Sequence, residues 1–263
     1  MSRSFHQFTC EGDQLAGTLD GGQNKAGLLI VSGGKEIKAG AHAGMAQLAQ
    51  RLSDRGFPVF RYDRRGIGDS EGSNNTFSSS KPDMIAAVDK FKNICPSLEK
   101  IVAFGNCDAA TALAMFAADA GCDGLVLANP WAIERSPSDT DETANPPPAV
   151  VRARYWERLK NPKTIVDLLK GKINFRKFLR GIKQASKKHG NSSISLELRN
   201  ALQEWHKPCQ IILAERDTTA RAFLGAWNSS DFQTVREKAN ISMSCFNSAS
   251  HSFADDESKA WLE

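Results

Sequence analysis

The stretch FGNCDAATA, residues 104–112, joins an apolar run to an alanine-rich run. The apolar residues 101–104 are typical of a buried strand, and the alanine-rich residues after the turn are typical of a helix. Gly105 and the small residues beyond the bend permit a sharp strand-to-helix turn. Cys107 lies where the related pattern G-x-S-x-G has its serine, and Ala109 replaces the second glycine. The stretch therefore predicts Cys107 as a candidate nucleophile at the bend.

Strands and helices alternate on both sides of this turn. Residues 5–10 and 14–19 predict an antiparallel pair around a Glu-Gly-Asp turn. Further strands are predicted at residues 26–31, 58–62, 101–104, 124–128, 209–214 and 241–246. Helices are predicted at residues 42–55, 82–93, 109–119, 219–227 and 231–239 and from residue 254 onward. This alternation predicts an α/β protein with a mostly parallel, doubly wound sheet.

The alternation is interrupted over residues 132–207. Residues 136–148 are polar and proline-rich, and residues 149–205 carry only helical patterns. We therefore predict a helical insertion at 132–207 within a core formed by residues 1–131 and 208–263. Its middle part, residues 152–188, is strongly basic, with Glu157 and Asp167 as its acids. Two interpretations remain open: a solvated helical face, or a cationic cap that favours anionic substrates or sits on anionic lipid headgroups.

Composition narrows the class of protein. The chain has 263 residues, a net charge of +4 and six cysteines. It has no run of about 18 apolar residues and no secretory h-region at its start, so we expect a cytoplasmic protein without a transmembrane segment. No Cys/His cluster has metal-ligand spacing, and no glycine-rich phosphate loop is present, so neither a metal nor an organic cofactor is expected. No nucleic-acid-binding motif is recognised, and nucleic acid is not expected as a partner.

Three side chains follow ends of predicted parallel strands, in the order Cys107, Asp217 and His251. The loops at the carboxyl edge of a parallel sheet open onto one crevice, so these side chains should meet there. A thiol with an ordinary pKa of about 8.5 needs a base, and His251 is the candidate. A carboxylate then fixes the imidazole tautomer, and Asp217 stands where that acid is expected. Three other acids compete for this role: Glu215, Asp139 and Asp141.

Acyl transfer also requires N–H donors for the negative oxygen of its intermediate. The N–H of Asp108, directly after the candidate nucleophile, is one predicted donor, and the N–H of Gly34 in the loop VSGGKE is the other. Lys35 and Glu36 adjoin this loop and are candidate substrate contacts. Trp131 is a third candidate, as a pocket wall or an anchor for the insertion.

A longer set of motifs carries a family resemblance. The stretch FRYDRRGIGDSEG, residues 60–72, resembles the D-x-R-G-x-G-x-S loop of α/β-hydrolases, in which Asp63 and Arg65 are expected to be structural. Together with IVSGG, GNCDAA, LVLANPW, ILAERDTTA and SASHSF, it resembles the type 1 exosortase A system-associated hydrolases of bacteria. The resemblance extends from about residue 28 to the C-terminus and includes the insertion.

This resemblance implies an α/β-hydrolase fold with a helical cap and a cysteine nucleophile, in bacteria that make exopolysaccharide. Ser32 stands where many α/β-hydrolases carry histidine. The leading hypothesis is an acyl ester or thioester hydrolase, or an acyltransferase, that acts on a small-molecule substrate through a Cys-His-Asp triad and an acyl-enzyme. The alternative is a catalytically inactive protein of this fold that binds an acyl or saccharide ligand.

Overall fold

One eight-stranded sheet organises the molecule. The computed structural model describes residues 3–133 and 193–263. The strands are β1 Arg3–Cys10, β2 Asp13–Asp20, β3 Ala26–Val31, β4 Val59–Tyr62, β5 Lys100–Asn106, β6 Gly124–Ala128, β7 Cys209–Ala214 and β8 Ile241–Phe246. Their order in the sheet is β1-β2-β4-β3-β5-β6-β7-β8. Only β2 runs against its neighbours among these strands, which confirms the mostly parallel sheet predicted from the sequence.

Seven α-helices connect or flank these strands in the described part of the chain. They are α1 Gly44–Asp54, α2 Lys81–Ile94, α3 Asp108–Phe116, α4 Ser193–Glu204, α5 Thr218–Trp227, α6 Gln233–Arg236 and α7 Asp256–Leu262. Short 3-10 turns occupy Ala41–Ala43, Phe77–Ser79 and Ser230–Phe232. Outside the insertion, every predicted element is present. The helix predicted at 231–239 is the least regular, since it divides into a 3-10 turn and the four-residue α6.

The core lies on both faces of the sheet, as a doubly wound arrangement requires. Successive strand residues point to opposite faces. In β5, Ala103 therefore packs in the cluster shared with α2, α3, α4 and α5, whereas Phe104 packs in the cluster shared with α1. Both residues are almost fully buried. A strand that is apolar at every position is thus explained by helices on its two sides.

The predicted insertion lies mostly outside the described residues, as do its basic stretch and the candidate acids Asp139 and Asp141. Its last part is described: Leu198 and Leu202 of α4 are fully buried in the cluster around α3. This helix therefore packs as part of the core. The boundaries of the insertion remain a prediction. In the described ranges, no helix is long and apolar enough to cross a bilayer.

Candidate active site

Cys107 occupies the turn between β5 and α3 in an unusual backbone conformation, φ 61° and ψ −125°. Such positive φ values are strained for a residue with a side chain and persist only where the surroundings impose them. Here the Cys107 N–H donates to the carbonyl of Ala128 (2.9 Å), and the Cys107 carbonyl accepts from the N–H of Trp131 (3.2 Å). The end of β6 thus holds the bend, and the turn predicted from the sequence is present.

Gly105 makes this bend possible because α3 approaches β5 very closely. A Cβ at residue 105 would lie 2.8 Å from Leu113 Cδ1 and 2.9 Å from the carbonyl carbon of Ala109. The helix could not start directly after the strand if this residue carried a side chain. The first glycine of the motif is therefore required for packing.

His251 and Asp217 meet next to this turn. The Nδ1 atom of His251 lies 3.1 Å from Oδ2 of Asp217. Asp217 itself is fixed because it caps α5, accepting a hydrogen bond from the N–H of Ala220 at 3.0 Å. The competing Glu215 is exposed to solvent, whereas Asp217 is buried. Of the acids that the structure describes in this loop, Asp217 is the partner of the histidine.

The electrostatics of the three side chains are coupled. The hydrogen bond with Asp217, then the hydrogen bond with Cys107, raise the pKa of His251 to about 10, against the opposing effect of burial. Burial would raise the pKa of Asp217, but hydrogen bonds from His251 and from backbone N–H groups outweigh it and hold that pKa below its usual value. Since Nδ1 faces the carboxylate, the other ring nitrogen of His251 is left for Cys107. An imidazole with this pKa is protonated at neutral pH, so the arrangement can hold the thiol proton on His251.

The backbone of the histidine loop is clamped by two asparagines. Asn106 Nδ2 and Asn129 Nδ2 both donate to the carbonyl of His251, at 3.1 and 3.0 Å. Asn129 also donates to Asn106 Oδ1 at 3.1 Å and accepts from the N–H of Ala214 at 2.9 Å. Asn129 is fully buried and adopts a positive φ of 42°. One side chain thereby connects the ends of β5, β6 and β7 to the histidine loop.

The two residues predicted to donate to an oxyanion are in contact with each other, and the N–H of one of them is already engaged. The N–H of Gly34 donates to Oδ1 of Asp108 at 2.7 Å. The carbonyl of Gly34 accepts a hydrogen bond from Arg64 Nη2 at 2.7 Å, which fixes the peptide group between Gly34 and Lys35. Asp108 is the first residue of α3, so the helix does not use its N–H. The carboxylate of Asp108 therefore occupies the acceptor position at Gly34 that an oxyanion would need.

A cavity of about 590 Å³ opens beside the turn. The described residues that line it are Gly34, Lys35, Arg64, Asn74, Thr76, Phe77, Ser78, Asp108, Trp131, Ile194 and Glu197. The predicted substrate contacts Lys35 and Trp131 are thus on its wall. Glu36 is not among these residues; its carboxylate accepts from the N–H of Ala41 at 2.6 Å, and burial raises its pKa.

The loop after β4, which contributes Arg64 to the cavity wall, is held in place by buried charged side chains. The carboxylate of Asp63 is fully buried and accepts hydrogen bonds from the Lys38 ammonium group at 2.6 Å and the N–H of Asp69 at 3.1 Å. Arg65 Nε donates to Asp83 at 2.6 Å. Both residues pin the loop through internal bonds, as expected for structural roles.

The other five cysteines are in different surroundings. Burial raises the pKa of Cys10 and Cys122 to about 11 and that of Cys209 to about 12. Burial also raises the pKa of Cys95 and Cys245. These thiols are unfavourable as nucleophiles at neutral pH, because the thiolate is the reactive form. All six cysteines are free, and within residues 3–133 and 193–263 no group of three or more His, Cys, Asp or Glu side chains could hold a metal ion.

Three residues of the site were not singled out from the sequence: Asn106, Asn129 and Arg64. Asn129 had a usable signal, because it is a polar residue directly after the buried strand β6, at the carboxyl edge where functional groups collect. Arg64 had none, since it fills the unspecified second position of the D-x-R-G motif.

The sequence matches the model of the family described as serine aminopeptidase, S33, over residues 22–254. No curated protein matches the chain. Solved structures do match in fold, at low identity. A Pyrococcus furiosus esterase superposes with a TM-score of 0.65 and 15% identity, covering 99% of this chain and 88% of the esterase.

Two further structures are similar over nearly their full lengths. Est1E from Butyrivibrio proteoclasticus, with ferulic acid bound, has a TM-score of 0.62 and 13% identity, covering 98% of this chain and 97% of Est1E. The thioesterase domain from the curacin biosynthetic pathway has a TM-score of 0.58 and 11% identity, covering 99% of this chain and 98% of that domain. At such identities the similarity establishes a common fold.

Proposed function

Because the chain belongs to the serine aminopeptidase family of α/β-hydrolases, we propose that it cleaves acyl esters or thioesters through a covalent intermediate on Cys107. The enzyme class itself, an esterase-like α/β-hydrolase, follows from the family. The observation that carries the finer proposal is the series of contacts from Cys107 to His251 to Asp217 at a strained strand-to-helix turn. Cysteine replaces the serine that gives the family its description.

The proposed reaction uses these groups in sequence. The thiol proton passes from Cys107 Sγ to the free nitrogen of His251, and the sulfur attacks the carbonyl carbon of the substrate. The carbonyl oxygen becomes negative and is stabilised by the N–H of Asp108 and by that of Gly34, once the Asp108 carboxylate has turned away. The carbon–oxygen or carbon–sulfur bond to the leaving group then breaks, and His251 returns the proton to that group.

The second half of the reaction releases the acyl group. His251 accepts a proton from water, the hydroxide oxygen attacks the acyl carbon, and the bond to Sγ breaks. Asp217 orients the imidazole and stabilises its cation without taking the proton. An acceptor alcohol in place of water would give acyl transfer. An ester or thioester is favoured over an amide, since an amine is a poor leaving group that needs strong acid assistance.

Two finer points rest on the sequence alone. The resemblance to exosortase A system-associated hydrolases supports a role linked to bacterial exopolysaccharide systems. The basic stretch at residues 152–188 supports an anionic substrate or peripheral contact with lipid headgroups.

A second candidate function is a binding protein without turnover. The observation that favours it is the hydrogen bond from the Gly34 N–H to the Asp108 carboxylate, because a fixed carboxylate at this position would exclude an oxyanion. Such a protein would bind an acyl or saccharide ligand in the cavity and would need neither the thiol nor the imidazole.

Intact-protein mass spectrometry tests the two candidates. The wild type is incubated briefly with a panel of acyl-coenzyme A thioesters and para-nitrophenyl esters, beside Cys107→Ala and His251→Ala. Cys245→Ala serves as the matched control, because Cys245 is the exposed cysteine. We expect an acyl adduct on the wild type and on Cys245→Ala that is absent from Cys107→Ala. Absence of both adduct and turnover with every donor would favour the binding protein.

A further inference from the structure

Arg64, in the loop after β4, differs from two nearby arginines, Arg61 of β4 and Arg65 of the same loop. Arg61 donates to a carboxylate, that of Asp20, at 3.0 Å. Arg65 likewise has a carboxylate within direct hydrogen-bond distance. Arg64 is only 4% exposed, yet the carboxylate near it, that of Asp108, lies 3.9 Å away. Its guanidinium is therefore buried without a hydrogen-bonded counter-charge.

The hydrogen bonds of Arg64 are also incomplete. Nη2 donates to the carbonyl of Gly34, but Nη1 is buried and has no hydrogen-bond partner among the described residues. A buried charge destabilises the fold unless it is paired and hydrogen-bonded. A guanidinium with an unpartnered N–H group is suited to a carboxylate, which accepts a charge-assisted hydrogen bond from it.

Arg64 lies on the wall of the cavity beside the nucleophile turn, so a ligand in this cavity can approach the Arg64 side chain. The volume of about 590 Å³ falls within the usual range for small-molecule sites. The wall is divided in character: Phe77, Trp131 and Ile194 are apolar, whereas Asn74, Thr76 and Ser78 are polar. Such a wall fits an aliphatic chain that ends in a polar group.

The charges on the wall include acids as well as bases. Lys35 is an exposed cation at the cavity, and Glu197 is an exposed carboxylate. Asp108 already binds the Gly34 N–H, which is direct evidence that a carboxylate is accommodated in this corner of the site. A carboxylate of the ligand can therefore approach Arg64 without displacing an ion pair at contact distance.

We propose that Arg64 binds a carboxylate on the acyl chain of the substrate, so that the preferred substrates are monoesters or monothioesters of aliphatic dicarboxylic acids. This inference rests on the proposed function, because it assigns the acyl group of that reaction. Arg64 is then a specificity residue, and its remaining hydrogen bond to Gly34 connects the bound acyl chain to the oxyanion loop.

A pair of substrates that differ in one group tests the proposal. The mono-para-nitrophenyl ester of adipic acid and para-nitrophenyl hexanoate have the same leaving group and chain length, and only the first carries a carboxylate. We expect wild-type kcat/KM to be higher for the adipate ester, and the ratio of the two values to fall about ten- to a hundredfold in Arg64→Met, the size expected for one charged hydrogen bond. The ratio cancels any loss common to both substrates.

Two further variants keep the test decisive. Arg64→Lys retains the positive charge but not the forked geometry of the guanidinium, and should lower the ratio of the two kcat/KM values by a smaller factor than Arg64→Met does. Arg55→Met removes an exposed arginine that is not among the described residues of the cavity wall, and should change the ratio less than twofold. A wild-type preference for the hexanoate ester, or a ratio that Arg64→Met and Arg64→Lys both leave unchanged, would overturn the proposal.

A binding measurement separates this inference from the proposed function. Isothermal titration of Cys107→Ala with the monomethyl ester of adipic acid should give an affinity that falls at least tenfold when Arg64→Met is added. If wild type shows no turnover but this loss of affinity is observed, the carboxylate site stands and the proposed catalysis fails. If esters are cleaved but the added Arg64→Met leaves the affinity unchanged, the proposed function stands and the carboxylate site is rejected.

Discussion

At the scale of single residues, the molecule depends on a few side chains that are tightly constrained. Cys107 is held at a positive φ, and His251 is held between a carboxylate and the thiol. Asp108 combines two functions, since its N–H is a predicted oxyanion donor while its carboxylate occupies the N–H of Gly34. These details decide whether Cys107 is an active nucleophile or has only a structural role in the turn.

We expect Asp108→Ala to increase kcat/KM for a neutral ester by roughly tenfold, because a free oxyanion donor is worth a factor of this size or more. The substitution frees the Gly34 N–H and retains the backbone N–H of residue 108. Steady-state kinetics with para-nitrophenyl hexanoate measures the effect, with the exposed Asp256→Ala as the matched control. A fall in activity without loss of folding would show that the carboxylate assists the reaction.

The pKa of His251 predicts how stability depends on pH. The folded-state value of about 10 exceeds the ordinary value of 6.5, so the folded protein binds this proton more tightly than the unfolded chain. The stabilising contribution is therefore complete below pH 6.5 and is lost as the pH rises through about 10. Urea unfolding at a series of pH values should show wild-type stability falling across this interval relative to His251→Gln. Parallel curves for the two proteins would contradict the assignment.

At the scale of elements, the site exists because strand ends are joined across the carboxyl edge of the sheet. Asn129 at the end of β6 reaches β5, β7 and the loop after β8 through one amide group. Gly105 lets α3 start against β5. Both features set the distance between the nucleophile and its base, although neither residue takes part in proton transfer.

We expect Asn129→Asp to lower kcat by about tenfold or more with little change in KM, because the carboxylate cannot donate to the His251 carbonyl, which then keeps only the described hydrogen bond from Asn106. The free energy of unfolding should fall by about 1–3 kcal/mol. Asn240→Asp is the matched control, since Asn240 Nδ2 also holds two backbone carbonyls, those of Trp205 and Lys207, in another part of the molecule. Equal kinetic effects of the two substitutions would exclude a positioning role for Asn129.

Gly105→Ala is expected to lower the free energy of unfolding by about 1–3 kcal/mol, the usual cost of inserting a methyl group into a packed interior. The new Cβ would lie under 3 Å from atoms of Ala109 and Leu113. At Gly124 an added Cβ meets its nearest neighbour at 3.5 Å, so Gly124→Ala is a suitable control. Urea denaturation compares both variants with the wild type. Similar stability losses at the two glycines would argue against close packing of α3 on β5.

At the scale of the whole molecule, the last part of the predicted insertion completes the core. The helix α4 belongs to the predicted insertion by sequence, yet its buried leucines pack in the same cluster as α3. The nucleophile helix is therefore supported by a part of the chain that lies far away in sequence. The site should depend on this packing.

We expect Leu198→Ala to lower the free energy of unfolding by about 2–5 kcal/mol, since Leu198 is fully buried and its loss leaves a cavity beside α3. Leu196→Ala, at a partly exposed position of the same helix, should cost less. Calorimetry measures both. If the two substitutions had the same small effect, α4 would not be part of the cooperative core.

Sequence patterns were sufficient for the strands, the helices outside the insertion and the turn at Cys107. Burial of a short segment can be inferred from its pattern of apolar residues, and runs such as residues 26–31 and 124–128 are therefore recognisable as buried strands. The contact between His251 and Asp217 was also predicted, because parallel topology brings strand ends to one edge. The contact of these residues with substrate, the roles of Lys35, Glu36 and Trp131, and the insertion boundaries remain predictions.

By itself, the sequence determined the class of fold and the residue types at the ends of its strands. Only the tertiary structure decided which polar groups face one another. The engagement of Gly34 by Asp108, the clamp of Asn129 on the His251 carbonyl and the hydrogen bond of Arg64 to the Gly34 carbonyl all join residues from separate elements. Such contacts require separately packed elements to be placed to within a few tenths of an ångström of one another. The spacing of residues along the chain does not encode that placement.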